Sequence, residues 1–118
     1  MNFFLADEKK STRFALTVLL EQYAAWKVVG QVSSGKDILA ILEVVQPDLL
    51  LIDWNLPACN CEEIIPALKQ INPYIRIIVM SARPELNLKA TSTGADAFIS
   101  KTEPPEKLLG AITLLAKS

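Results

Sequence analysis

The sequence predicts an α/β fold: a doubly wound sheet of five parallel strands with helices on both faces. Three observations predict it. Short apolar runs of β type alternate five times with segments whose apolar residues recur at helical spacing. One of the runs, residues 49–52, is uninterrupted and another, 75–80, is broken only by Arg76, which is the pattern of strands covered on both sides. The runs also end in polar residues, namely Asp7 and Glu8, Asp53, Ser81 and Lys101, at the edge where an open α/β sheet binds its ligands. The 118 residues make one domain, 1–118, and 51% hydrophobic against 21% charged residues is enough to bury a core.

The elements follow in order. Residues 2–6 (NFFLA) suit a buried strand ending at Asp7. Over residues 11–25, Leu16, Leu19, Leu20 and Tyr23 fall on one helical face. Residues 27–33 (KVVGQVS) are rich in valine and read as a second strand. Ser34 is placed to cap a helix carrying Ile38, Ile41, Leu42 and Val45, which Pro47 closes. The third strand is 49–52, the fourth 75–80 and the fifth, a short one, 96–99. Pro104 starts a last helix with Leu108, Ala111, Ile112 and Leu115 on its buried side.

The third and fourth helices carry weaker signals. Within 61–72, Pro66 lacks a main-chain donor, so that helix is expected to kink or to begin near Ile65. Between Pro84 and Gly94, Asn87, Thr91, Ser92 and Thr93 are poor helix formers. Five βα units with right-handed crossovers give the flavodoxin-like strand order 2-1-3-4-5, whose ligand crevice lies outside the carboxyl ends of strands one and three.

Composition narrows the function. Twelve basic and thirteen acidic residues give a net charge of −1 with no basic cluster, which argues against direct contact with nucleic acid. No apolar run approaches the ~20 residues that span a bilayer, and residues 3–6 fall short of a signal-peptide core, so a cytoplasmic protein without membrane contact is expected. Cys59 and Cys61 lie too close in sequence for an easy disulfide, and with no histidine to complete a zinc site they read as free thiols.

The chemistry sits at the strand ends. Asp7, Glu8 and Asp53 on one rim repel each other unless a cation joins them, and Mg2+ is the hard, oxygen-seeking ion suited to that. Such a site takes phosphate, with the Lys101 ammonium and the Ser81 hydroxyl placed to hold the other oxygens. A carboxylate can itself be the nucleophile and form an aspartyl phosphate, and Asp53 at the centre of the sheet is best placed for it.

The acidic pair in Leu5-Ala6-Asp7-Glu8, Asp48 with Leu49-Leu50-Leu51-Ile52-Asp53 and Pro57, Ser81-Ala82, and Gly94-Ala95-Asp96-Ala97-Phe98-Ile99-Ser100-Lys101 together resemble the receiver domain of bacterial two-component response regulators. The resemblance covers the whole chain. It implies that Asp53 accepts a phosphoryl group from the phosphohistidine of a sensor histidine kinase. It further implies that Asp7 and Glu8 help to hold Mg2+ with Asp53 and the Asn55 backbone carbonyl, that Ser81 and Lys101 contact the phosphoryl oxygens, and that Phe98 is a rotating switch aromatic. Signalling is then expected through the face of helix four, strand five and helix five, which leaves room for a homodimer. The segment from Lys101 to Leu109 is similar to receivers that precede a helix-turn-helix output module, so the chain is either a stand-alone receiver or part of a longer regulator with a DNA-binding output domain.

One departure and three rivals complete the reading. The family usually carries glycine at the position of Cys61, so a positive φ is expected there at a steric cost. A haloacid-dehalogenase-like phosphatase would need a second aspartate two residues after the nucleophile, where Asn55 stands. A flavodoxin-like cofactor binder would need a phosphate-cradling loop where Asp7-Glu8-Lys9-Lys10 stands. The unusual loop at Asn60 and Cys61 motivates the third rival, a receiver-like interaction module that signals without phosphorylation.

Overall fold

Residues 1–117 are described by a computed structural model. The elements run β1 (Asn2–Ala6), α1 (Lys10–Leu20), β2 (Lys27–Val32), α2 (Ile38–Val45), β3 (Leu49–Asp53), α3 (Cys61–Ile71), β4 (Arg76–Ser81), a 3-10 turn (Pro84–Leu86), α4 (Asn87–Thr93), β5 (Ala97–Ser100) and α5 (Pro105–Ala116). All strand pairs are parallel and the order is β2-β1-β3-β4-β5, as the sequence predicts.

The two-residue repeat of the strands divides the core into two layers. Phe3, Leu5, Leu49, Leu51, Ile78, Met80 and Ile99 face one way and pack against Leu16 and Leu20 of α1 and Leu108 and Ile112 of α5. Phe4, Ala6, Leu50, Ile52, Ile77 and Val79 face the other way and pack against α2, α3 and α4 through Ile38, Leu42, Cys61, Ile65, Leu68 and Ala90. β1, β3 and β4 are therefore apolar at successive positions because both of their faces are covered.

Four local expectations change. α1 stops at Leu20 rather than residue 25. The chain turns there so that the Tyr23 and Trp26 rings meet at 4.7 Å and Trp26 meets Phe3 at 5.3 Å, and packing at the sheet's edge overrides helical periodicity. Ser34 does not cap α2. Its hydroxyl accepts a long 3.4 Å bond from Lys36 N, and the N-cap is Asp37 in the left-handed region at φ 59. Of the two alternatives for α3, a start near Ile65 does not hold, since the helix begins at Cys61 and runs through Pro66. The Asn60 side chain starts it by accepting from Glu62 N at 3.1 Å, and Glu62 and Glu63 complement the dipole of its first turn. Pro66 is exposed, so the Glu62 carbonyl it leaves unpaired within the helix can turn to water.

The fourth change concerns strain. Cys61 is the first residue of α3 and 3% exposed, whereas the positive φ in this loop belongs to Ala58, at 53°. The backbone cost expected at Cys61 is thus moved three residues back to an exposed alanine. Ala58→Gly is expected to stabilise the domain by about 0.5–1 kcal/mol, because glycine adopts this conformation without a Cβ clash. Cys61→Gly, the favourable substitution on sequence grounds, is expected to cost about 1–2 kcal/mol, since it removes a buried side chain from a helix start. Urea unfolding of the two variants should move in opposite directions.

Candidate functional site

Main-chain bonds continue past the strands at their carboxyl ends, between β1 and β2, between β3 and β4, and between β4 and β5. Asp7 N donates to Val32 O at 3.1 Å, Trp54 N to Met80 O at 3.0 Å and Lys101 N to Ser81 O at 2.8 Å. The pleat then decides which side chains meet. Asp7, Asp53 and Lys101 continue the files of Leu5, Leu51 and Ile99, which face α1 and α5. Ser81 continues the file of Ile77 and Val79, on the side of α3 and α4, where Phe98 packs half-buried beside Val79, its register partner.

The three residues of the first file form one ionic cluster. Lys101 Nζ donates to Asp7 Oδ2 and to Asp53 Oδ2, both at 2.6 Å. Each carboxylate is held from its other oxygen by a main-chain N–H two residues on: Lys9 N donates to Asp7 Oδ1 at 2.9 Å and Asn55 N to Asp53 Oδ1 at 2.8 Å. The Asp7 side chain is 6% exposed and that of Asp53 17%, so neither charge could persist there without such partners. Burial by itself would lower the pKa of Lys101, but the hydrogen bonds from its ammonium to Asp53 and Asp7 outweigh that and hold it above the ordinary lysine value.

Glu8 lies outside this cluster. It is exposed, and its main-chain carbonyl accepts from Arg13 Nη1 at 3.1 Å. Among the described residues no group of three His, Cys, Asp or Glu side chains lies close enough together to hold a metal ion. The expected three-carboxylate cluster is therefore a pair, Asp7 and Asp53, with Lys101 as its cation. The donor set is still two hard carboxylates brought to one point, which are the oxygen ligands that Mg2+ takes. Ser81 is buried at 1% exposure, and its hydroxyl accepts from Arg83 N at 3.0 Å. Asn55 meets Asp53 through its N–H.

Two features are absent from the sequence reading. Arg13, one turn into α1, donates from Nη1 to Asp7 O at 2.6 Å as well as to Glu8 O, and from Nε to Gln31 Oε1 at 2.8 Å. It thereby fixes the main chain that carries Asp7. Apolar periodicity does not mark it, because it is a charged residue at the start of the face that carries Leu16 and Leu20, three and seven residues on. Behind Asp53, the Cys61 thiol donates toward the main-chain oxygens of Trp54 at 3.5 Å and Asp53 at 3.7 Å. The influence of the neighbouring Cys61 thiol lowers the pKa of Cys59, whereas that of Cys59 together with burial raises the pKa of Cys61.

The protein-family model that describes the response regulator receiver domain matches residues 3–113. The nitrate/nitrite response regulator protein NarL of Escherichia coli K12 is 32% identical over 110 residues, covering 92% of this chain and 51% of that protein. The probable transcriptional regulatory protein SgaR of Hyphomicrobium methylovorum is 28% identical over 115 residues, covering 96% of this chain and 54% of that one. The chain thus spans about half the length of the curated relatives it matches. Among solved structures, the signal receiver domain of the putative response regulator NarL from Mycobacterium tuberculosis superposes with a TM-score of 0.87 at 22% identity, over 99% of this chain and 96% of that one. Among the described residues no helix is long and apolar enough to cross a membrane.

Proposed function

The chain belongs to the response regulator receiver domain family of two-component signalling, and we propose that it accepts a phosphoryl group on Asp53 from the phosphohistidine of a sensor histidine kinase. The observation that carries this reading is the Asp53 carboxylate itself, at the end of the central strand, with one oxygen on the Lys101 ammonium and the other on the Asn55 N–H. A carboxylate oxygen attacks phosphorus in line with the bond to the donor imidazole. The P–O bond forms as the P–N bond breaks, and its electron pair leaves on the imidazole nitrogen, which takes up a proton. Lys101 and the Ser81 hydroxyl then hold phosphoryl oxygens, where their positive charge and polar hydrogen stabilise the negative charge.

Asp7 and Asp53, joined by the Asn55 carbonyl and by Glu8, which follows Asp7 in the chain and would have to turn inward, would hold Mg2+, which when bound neutralises charge on the phosphoryl oxygens. Phosphate on Asp53 draws the Ser81 hydroxyl toward it and frees space on the α3 and α4 side of the sheet, into which Phe98 turns. The neighbouring α4 is the element suited to respond. It has seven residues, and the hydroxyls of Thr91, Ser92 and Thr93 bond back to carbonyls three or four residues earlier, which leaves little local stability. The α4, β5 and α5 face carries the signal, to a second copy or to an output domain. The name of SgaR describes a probable transcriptional regulator, so a DNA-binding output in the cytoplasm is the reading it supports, with no direct nucleic-acid contact by the receiver.

With acetyl phosphate or phosphoramidate and millimolar Mg2+, the protein should gain one phosphoryl group by intact mass, and with the metal chelated it should gain almost none. Absence of labelling under both conditions would leave the interaction module that signals without phosphorylation as the function of this chain.

A further inference from the structure

We propose that Arg13 is a positioning residue of the Mg2+ site, clamping the main chain of Asp7 and Glu8 to α1 and to β2 and so keeping their carboxylates in place for the metal. The inference rests on the reading of Asp7 and Glu8 as Mg2+ ligands and concerns how they are held. One side chain ties three segments together. From its place on α1, Arg13 donates through Nη1 to Asp7 O at 2.6 Å and to Glu8 O at 3.1 Å, and through Nε to Gln31 Oε1 on β2 at 2.8 Å. The guanidinium is half-buried, and bonds from an ionised donor are among the stronger ones.

The turn it grips lacks the usual fastening. α1 starts without a side-chain cap, since Lys9 stands at the N-cap position and makes no capping bond, and its first turn holds no acidic residue. Asp7 is tied at its N–H, which donates to Val32 O, and at its carboxylate, which accepts from Lys9 N and from Lys101 Nζ. The carbonyls of Asp7 and Glu8, between the end of β1 and the start of α1, are taken by Arg13. Glu8 depends on this most. Its side chain is exposed, and the bond to its carbonyl holds the peptide from which the carboxylate must turn inward to reach the metal.

All the acceptors that Arg13 uses are neutral oxygens, two main-chain carbonyls and one side-chain amide, although it grips two acidic residues. It therefore acts on the metal ligands through the main chain. Its charge works the other way. A cation beside an acidic site repels a second cation, so by charge alone the removal of Arg13 would tighten Mg2+ binding. Loss of a clamp on metal ligands weakens binding, because the outer partners that orient ligands carry part of the affinity. The two effects have opposite signs, and the measured sign decides the role.

The test titrates Mg2+ into the parent and into Arg13→Met, Arg13→Lys and Gln31→Ala, following the fluorescence of Trp54, the residue next to Asp53, with calorimetry as a second readout. Metal-free melting curves establish that each variant is folded. Arg13→Met should bind Mg2+ about tenfold more weakly than the parent. Arg13→Lys, which keeps donors for the two carbonyls but loses the fork that also reaches Gln31, should bind about threefold more weakly, and Gln31→Ala should do the same. With acetyl phosphate, the Mg2+ concentration that half-saturates labelling of Arg13→Met should rise by the factor seen in the titration, while the rate at saturating Mg2+ stays within about twofold of the parent. A general loss of stability would not produce that split.

Mg2+ affinity unchanged or tightened in Arg13→Met would overturn the proposal, and so would labelling that stays slow at saturating Mg2+. Should Arg13→Met fail to fold, Arg13→Lys and Gln31→Ala decide by the same sign, and parent-like affinity in both overturns it. A parent that binds no Mg2+ removes the reading of Asp7 and Glu8 and the proposal with it, whereas a parent that binds the metal no better than its folded variants removes the proposal alone.

Discussion

Asp53→Asn will take up no phosphoryl group from acetyl phosphate under conditions in which the unchanged protein is labelled to one equivalent. The amide keeps the shape of the side chain, and its oxygen can still accept from Lys101 or from Asn55 N, so the rim stays assembled. An amide oxygen lacks the charge that makes a carboxylate a nucleophile, and the barrier to attack on phosphorus rises beyond measurement. Lys101 keeps Asp7 as a partner at 2.6 Å, so the loss of one ion pair should cost about 1 kcal/mol or less. Labelling and urea unfolding measured on the same preparation separate chemistry from folding. Labelling of the folded variant at the original rate would place the acceptor on another residue.

Lys101→Met has the second large expected effect, and it falls on stability. The variant keeps the apolar stem but leaves two carboxylates, with 6% and 17% of their side chains exposed, facing one another without their shared ammonium. Removing one partner of a buried ion pair strands the other, and here the cost should be about 2–3 kcal/mol, below the fully buried case because Lys101 is itself 22% exposed. Millimolar Mg2+ should restore a larger part of the melting temperature in the variant than it adds to the unchanged protein, because the metal replaces the missing cation. A variant that melts like the parent and ignores Mg2+ would show that the carboxylates do not act as a cation site.

The pH dependence has a definite sign. The folded state holds the Lys101 pKa above its ordinary value, so the stability it contributes is complete below the unfolded lysine pKa and is lost as pH rises through the higher folded value. The unchanged protein should therefore lose stability in strongly alkaline solution by a step that Lys101→Met lacks. Stability near neutral pH should not change through this group.

The architecture was legible because it rests on patterns of period two and period 3.6. The doubly covered strands β1, β3 and β4 left near-continuous apolar runs, and strand order followed from five βα units with one handedness. The pleat also bears on the site. Asp7, Asp53 and Lys101 stand two positions beyond Leu5, Leu51 and Ile99, on one face of the sheet, and so converge. Glu8, adjacent to Asp7, was expected in the same cluster from sequence proximity alone. It lies outside because the next residue along the chain points elsewhere and the turn into α1 begins there.

Other features depend on contacts between distant segments, which local patterns cannot carry. The end of α1 is set by Trp26 packing on Phe3, and the hold on the Asp7 main chain by Arg13. The positive φ was expected at Cys61 because that position usually holds glycine. The chain instead uses Asn60 as an N-cap, buries Cys61 at the helix start and takes the left-handed step at Ala58, beside Gly35.

Whether the Asp53 carboxylate forms the acyl phosphate is decided by borohydride reduction. Borohydride cleaves an acyl phosphate and converts that aspartate to homoserine, which marks the acceptor covalently and permanently. Protein labelled with acetyl phosphate and Mg2+, then reduced and digested, should yield homoserine at position 53 and at no other aspartate. Homoserine at Asp7, or an unmodified Asp53 in protein that has gained a phosphoryl group, would contradict it.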